Sequence, residues 1–505
     1  MLVIVLIVIV GLCGLAIGAF FISDAVKLNK LSKLKLADSP TAGYRNLIPS
    51  NDEIFRWIEE LTNMGVRQPG TKAGEDAANY VADKFAEFGL TDIKNESANT
   101  FLWTADDWGL SVNGVDIDSY YMSHTFVSGR SSAFSTPEGG LQAEIVYVGD
   151  GKESDYKRVD VKGKIVVSNV KMSRVPIGLV KFAGYLLYDP NKTLPLFSSR
   201  IDPYSANNFP YNYYNAIKNG AVGFIGILSN YIDSNQYNNE NYSYIGGPMG
   251  LPGLWVSKSD GETLKNLIGN GEAVATMVLK GERKRVKGNA VVAYLPGKSD
   301  ETILVHSHHD SSTTGAVEDA SGTSVVLALA KMYAQIPKEE RAKSLIFASM
   351  DSHFTGYQVH DAFAANHLKG KKNILVDVCV EHIANEVVEN ENGETVLTGL
   401  VEPRLIFVSG SKELINITEE EVVRHNYERT AIIPASLFGG EVPTDADVFY
   451  LTGIPIVSLV SGPIYLYDNI DTIDKVAKNE LRPTTEVFAD IIWRLSELTA
   501  DEIRD

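Results

Sequence analysis

The chain is predicted to be an α/β protein: a mostly parallel sheet covered by helices, with an inserted β-rich domain and an N-terminal transmembrane helix. Three observations predict this. Beyond residue 300, apolar runs of strand length (TILVHS, SLIFASM, ILVDVCV, IPIVSLV) alternate with helical patterns (TSVVLALAKMYAQI, YQVHDAFAANHL). That order is the one a parallel sheet with helices on both faces requires. Between 136 and 287 the texture shifts to short strands and glycine turns, as in AEIVYVGDG and GKIVVSNV. Residues 1–22 carry no charged side chain.

Taken in order, residues 1–23 are expected to be a membrane anchor or a signal. As a helix the apolar run would span roughly 33 Å, enough for the hydrocarbon core. It lacks the basic start of a secretory signal, although Ala16-Ile17-Gly18 offers a small-x-small cleavage site. Lys27, Lys30, Lys33 and Lys35 follow it and on their own favour a cytoplasmic flank. The four Asn-x-Ser/Thr sites, at Asn95, Asn191, Asn241 and Asn416, do not settle the orientation. Residues 24–50 read as a linker. Asn51-Asp52-Glu53 opens an amphipathic helix through Ile54, Ile58 and Leu61. Pro69-Gly70 makes a turn, and a second helix runs from about Ala73 to Phe88 before Gly89 stops it. The domain boundaries expected are 51–135 and 288–505 for the α/β domain and 136–287 for the insertion. The aromatic and proline-rich stretch 171–215 carries no readable pattern.

A length of 505 residues suits two domains plus an anchor. The formal net charge of -18 argues against nucleic acid and against a face lying on anionic lipid. Only Cys13 and Cys379 are present. A thiolate zinc cluster is therefore excluded.

In open α/β sheets, sites form beyond the C-terminal ends of strands. TILVHS ends at His308, His309 and Asp310; SLIFASM at Asp351, Ser352 and His353; ILVDVCV at Glu381 and His382; IPIVSLV at Ser461 and Gly462. Seven of the nine histidines lie between His306 and His382. A helical histidine such as His360 or His367 suits a surface or internally satisfied position, and Asp351 can simply cap a helix. His308, Glu318 and Glu381 together are harder to dismiss. Mixed His/carboxylate groups from different strand ends suit Zn²⁺ or a similar ion. Asp310, two residues beyond His308, can orient its ring.

These stretches resemble the zinc exopeptidases typified by aminopeptidase Y, bacterial leucyl aminopeptidases and glutamate carboxypeptidase II (metallopeptidase family twenty-eight), of which the transferrin receptor ectodomain is a non-enzymatic relative. The resemblance runs over about residues 51–500, through RQPGTKAGEDAANYVADKFAEFGL, ILVHSHHDSS, GAVEDASG, TDADVFYLTGIPIVS and DTIDKV. It implies that the insertion is a protease-associated domain and that two zinc ions share one bridging carboxylate. The first ion would take His308, bridging Glu318 (with Asp319 the alternative) and Glu381. The second departs from the pattern. The family's paired glutamates, base and ligand, match His353-Phe354, and its last histidine ligand matches Tyr467. One zinc site is thus expected to be kept and one lost.

His353 is expected to be the catalytic base, or else a ligand, because an imidazole accepts a proton near neutral pH. Asp445 and Asp447 are expected to hold a substrate amine, to join the metal shell or to be turn residues, with Tyr467 also facing substrate. The function expected is a metal-dependent exopeptidase acting on a peptide or small amide, membrane-anchored with an extracytoplasmic catalytic domain. An oligomer is compatible with the sequence. The alternative is a non-catalytic ectodomain with a degenerate peptidase fold. A serine hydrolase is a distant third, since no GxSxG elbow is evident.

Overall fold

The computed structural model describes residues 25–127, 132–238, 249–368 and 374–504. The apolar run 1–22 lies outside these. Among the described residues no helix is long and apolar enough to cross a membrane.

Two helices open the α/β domain: α1 (Asn51–Thr62) and α2 (Lys72–Glu87). Each starts where a hydroxyl replaces a missing helical partner. Ser50 accepts from the amide of Glu53 and Thr71 from that of Gly74. Ile54, Trp57, Ile58 and Leu61 recur every three or four residues and form the buried face of α1. The stretch 25–50 is more than the expected linker. Leu31 and Ile48 are buried, and Thr41 bonds Asp490 through both its amide and its hydroxyl. The segment is thereby tied to α6 (Leu481–Glu497).

The strands are β1 (Asp92–Val112), β2 (Leu141–Tyr147), β3 (Ile165–Val170), β4 (Leu186–Tyr188), β5 (Ser199–Ala206), β6 (Gly223–Leu228), β7 (Gly253–Val256), β8 (Val274–Leu295), β9 (Ser299–His308), β10 (Lys343–Met350), β11 (Ile374–Val380), β12 (Arg404–Val408), β13 (Thr430–Pro434) and β14 (Ile456–Ser461). In the α/β domain the order is β8-β10-β9-β11-β14-β12-β13-β4. The central strands β10, β9, β11 and β14 are mutually parallel. β8 and β12 run antiparallel to their neighbours β10 and β14. α3 (Gly322–Ala334) is apolar nearly all round and lies buried between this sheet, α1 and α6. α4 (Gln358–Leu368) packs on the far edge, beside β1 and β8.

The insertion is not purely β-rich. Its core is the parallel set β2-β3-β6-β7, with helices Tyr211–Lys218 and Lys258–Gly269 between strands. β1 and β8 pair antiparallel from Asp92↔Tyr294 to Val112↔Ala275, with one register shift between Ala105 and Asp107. At its first residues β8 also pairs β2, and at its last residues β10. Both long strands therefore run through the two sheets. Tyr120–Tyr121 pairs β7, and Ser132–Ser135 pairs β8 within its insertion half. The expected boundary at 135/136 thus falls among strands already joined to the insertion's sheet. A period-2 pattern does not reveal where a strand changes neighbours.

The stretch 171–215 folds as a hairpin, Met172–Pro176 with β5, and as β4, which pairs β13 at the edge of the α/β sheet. It leaves one sheet, caps the other and returns.

Candidate metal centre

The predicted site residues converge at the C-terminal ends of the parallel strands. β9 ends at His308. The loop after it carries Glu318 and Asp319. His353 follows β10, and Glu381 and His382 follow β11. All are buried.

The loop bearing Glu318 is shaped from two sides. Arg67, wholly buried, donates from Nε to the carbonyl of His309 (2.9 Å) and from its two Nη atoms to those of Thr314 (2.6 Å) and Gly315 (2.9 Å). Asp471 accepts from the amides of Val317 (2.8 Å) and Glu318 (3.0 Å). Arg67 belongs to the RQPG stretch and Asp471 to DTIDKV, so two distant motifs hold one loop. Asp319, the alternative bridge, is used as a brace instead. Its Oδ1 accepts from the amides of Gly322 and His382, each at 3.1 Å, and its Oδ2 from Ser307. Gly322 must lack a side chain, because a Cβ there would lie 2.4 Å from Asp319 Oδ2 and 2.3 Å from the Val380 carbonyl.

Glu318 stands at the centre. Its Oε1 is 3.3 Å from His308 Nε2 and 3.3 Å from His353 Nε2, and its Oε2 contacts His382 Nε2. Each ring is held from behind through Nδ1. His308 Nδ1 meets the Asp310 carbonyl (3.1 Å) and carboxylate (3.2 Å), the orienting role expected of Asp310. His353 Nδ1 meets Asp445 (2.7 Å), and His382 Nδ1 meets the Ser461 carbonyl (2.9 Å) and the Tyr204 hydroxyl (3.0 Å). The rings of His308 and His353 stack at 4.1 Å.

Charge follows geometry. Burial alone would raise Glu318, but the adjacent His382, His308 and His353 hold it far below the usual carboxylate range. Burial would lower His382, yet Glu318 and its acidic neighbours push it up to about 9. His308 is likewise raised well above an ordinary imidazole, against the effect of burial, by Asp445, Asp310 and Glu318. These residues fit a divalent ion. His308 Nε2, His382 Nε2 and both Glu318 oxygens are buried and close together, yet make no hydrogen bond of ordinary geometry among the described residues. Two overlapping sets have metal-ligand spacing: His308, Glu318 and His353, and His308, Glu381 and His382.

Several expected roles change. Asp445 is fully buried. Its oxygens meet His353 Nδ1 (2.7 Å) and His360 Nε2 (3.2 Å), so it positions a histidine and is not exposed to a substrate amine. Asp447 accepts from the amide of Val442 (2.8 Å) and serves the turn before its short helix. Tyr467 is buried, with its ring edge-on to Tyr204 at 5.9 Å, so that Tyr204 stands between it and His382. Glu381 Oε1 accepts from Thr444 (2.8 Å), the Asp445 amide (3.2 Å) and the Cys379 thiol (3.0 Å), while its Oε2 is 3.8 Å from His382 Nε2. Phe354 does pack beside the centre, 4.7 Å from the His353 ring and 6.0 Å from that of His308.

His382, Tyr204 and Arg67 have functions at the site that the sequence reading did not assign. Strand alternation would send His382 away from Glu381, but its φ of +58° ends the alternation and turns it inward. The density of histidines and its place just after a strand hinted at it. A further cluster, Glu421, His425 and Asp490, is structural. Arg424 and Arg494 engage Glu421, and Asp490 joins His425 to Thr41.

Residues 290–492 match the family described as Peptidase family M28. The chain is 24% identical over 343 residues to "Probable glutamate carboxypeptidase AMP1" of Arabidopsis thaliana, covering 60% of this chain and 47% of that protein. It is 24% identical over 307 residues to "Aminopeptidase YwaD" of Bacillus subtilis (strain 168), covering 58% and 54%. The matches thus span about half the length of these relatives. Among solved structures, a peptidase M28 precursor from Shewanella amazonensis SB2B matches with TM-score 0.66 and 18% identity over 95% of this chain and 98% of that one. A zinc aminopeptidase from Bacillus subtilis matches with TM-score 0.62 and 18% identity over 90% and 98%. Likeness at this identity establishes the fold.

Proposed function

Residues 290–492 match peptidase family M28, and from that likeness we propose that the protein is a divergent metal-dependent exopeptidase, aminopeptidase-like, that uses one zinc ion. The observation that carries this reading is the buried convergence of three imidazole Nε2 atoms on the Glu318 carboxylate, each ring braced through Nδ1. Such a braced set is the ordinary form of a zinc ligand shell.

A bound zinc ion would supply Lewis acidity, polarising an amide carbonyl and acidifying water near neutral pH. His308 and Glu318 would hold it, Glu381 belonging to the overlapping set with His308 and His382. The chain's remaining task is to move one proton from water to the leaving amine. His382 stands beside Glu318 for that transfer, and His353, on the other Glu318 oxygen, is either a second base or a ligand. Tyr204 enters from the insertion and holds His382 from behind. That contact supports reading the insertion as a protease-associated domain that bounds the cleft. The apolar run 1–22 supports a membrane anchor, and the resemblance to exported and ectodomain proteins supports a catalytic domain outside the cytoplasm, against the lean of the basic flank.

The test is zinc content together with hydrolysis of a panel of aminoacyl-nitroanilides and short peptides. Chelation should abolish turnover, zinc should restore it, and His308→Ala should lose both metal and turnover. A zinc-loaded protein that cleaves no member of the panel would favour the second reading, a non-catalytic ectodomain used in binding or scaffolding. That reading draws its support from Phe354, an inert ring where the family carries a glutamate.

A further inference from the structure

The geometry points to His353 as a metal ligand, held in place by Asp445, with His308 Nε2 and Glu318 Oε1 completing a triad that replaces the His/Glu/Glu set implied by the family pattern. The inference rests on the reading of this centre as a zinc site.

The argument begins with protons. The Nδ1 atoms of His308, His353 and His382 face a carboxylate, a carboxylate and a backbone carbonyl, at 3.2, 2.7 and 2.9 Å. Carboxylates and carbonyls only accept; the Tyr204 hydroxyl beside His382 donates to the Ser461 carbonyl (2.9 Å), and the Tyr357 hydroxyl lies farther from His353 Nδ1 (3.2 Å) than Asp445 does, so these partners place the ring proton on Nδ1. In a neutral ring the lone pair is then on Nε2. All three Nε2 atoms lie beside Glu318, another group that only accepts. With the rings neutral, this gathers imidazole lone pairs and carboxylate oxygens about one point, where a divalent cation can take the place that protons otherwise fill.

Spacing then locates the cation. Ligands about 2.1 Å from a tetrahedral zinc ion stand about 3.4 Å apart. Glu318 Oε1 lies 3.3 Å from both His308 Nε2 and His353 Nε2, the edges of such a tetrahedron. The competing set, His308, Glu381 and His382, is looser, with 3.8 Å between His382 Nε2 and Glu381 Oε2. The two sets share His308, whose Nδ1 is turned to Asp310. Its Nε2 lone pair binds one ion, so the two sets are alternatives, and the tighter one implies a single zinc. Asp445 completes a carboxylate–histidine–metal relay. Its second oxygen is fixed by His360 at 3.2 Å, which keeps the carboxylate from turning away. His382 is then the imidazole left to receive the proton of the attacking water.

The assignment is tested without recourse to turnover. Zinc-loaded full-length protein is measured by elemental analysis and zinc-edge X-ray absorption, which counts imidazoles around the ion. The wild type should hold one zinc with two imidazoles. His353→Ala should lose at least tenfold in zinc affinity and one imidazole. Asp445→Asn should keep both imidazoles but bind about 10–100-fold more weakly, as loss of an orienting partner does. Phe354→Ala should keep both affinity and count. A wild-type spectrum with a single imidazole, or an unaltered zinc affinity in His353→Ala, overturns the assignment. The wild-type spectrum decides even if the alanine variant fails to fold. Zinc held by His308 and His353 in a protein without peptidase activity would leave the assignment standing and overturn the proposed function. No zinc in the wild type would overturn both.

Discussion

Each imidazole of the centre has one nitrogen committed to the fold and the other to the site, and this division has a pH consequence. His382 is pushed up to about 9, because Glu318 outweighs the lowering effect of burial. Asp319 and Asp471 are raised by burial to about 7 each. All three bind protons more tightly folded than unfolded. Their contribution to stability is therefore complete below the unfolded values, about 4 for the aspartates and about 6.5 for the histidine. It is lost as pH rises through about 7 and then about 9. A dication in the same place favours the deprotonated forms and reverses the loss. The gap in melting temperature between zinc-loaded and chelated protein should widen steadily from pH 5 to 8.5. A gap that is constant or narrows would show that no cation displaces these protons. At this scale, residue type at a strand end was legible: His308, Glu318 and Glu381 do lie together. The role of each was less so. Asp445 and Asp447 look equivalent in TDADVF, but one is buried against two histidines and the other caps a turn. Nothing in their spacing separates these fates.

Among the elements, strands and helices after residue 300 were readable because burial on both faces imposes long apolar runs. The excursion 171–215 was not, since its partners are remote in sequence. It is fastened to the α/β domain by Arg200, whose guanidinium meets Glu402 at 2.8 and 2.9 Å and also contacts Glu386. Glu402 is almost wholly buried. Burial raises it to about 7 even with Arg200 beside it. Arg200→Ala would leave that carboxylate without its ion pair, a loss of about 1–3 kcal/mol, less than for a fully buried pair because the Arg200 side chain is 28% exposed and Glu402 can take up a proton. The hairpin should then detach, taking Tyr204 from His382. Limited proteolysis should cut faster within residues 189–198, while zinc content stays near that of the wild type, since Tyr204 touches only the back of the His382 ring. Unchanged proteolysis would show that β4 on β13 alone holds the excursion.

For the whole molecule, the insertion and the α/β domain are distinct in sequence texture yet share their longest strands. Polar runs interrupt both long strands, KNESANT (94–100) in β1 and ERKRVKGN (282–289) in β8, so texture alone placed the boundary where helices and turns change, not where hydrogen bonds do. β8 pairs β2 at Val274–Met277 and β10 at Ala290–Leu295, and β1 accompanies it along nearly its full length. Melting the insertion's sheet would therefore expose one half of two strands whose other halves still carry the α/β sheet. Partly released strands leave unpaired amides and carbonyls, each costly when buried. Cooperativity should then extend across both parts. Calorimetry of the chelated, full-length protein should give one unfolding transition, with a van't Hoff enthalpy close to the calorimetric value. Two separated transitions, or an enthalpy ratio near one half, would show that the bulge between Ala105 and Asp107 uncouples the two sheets.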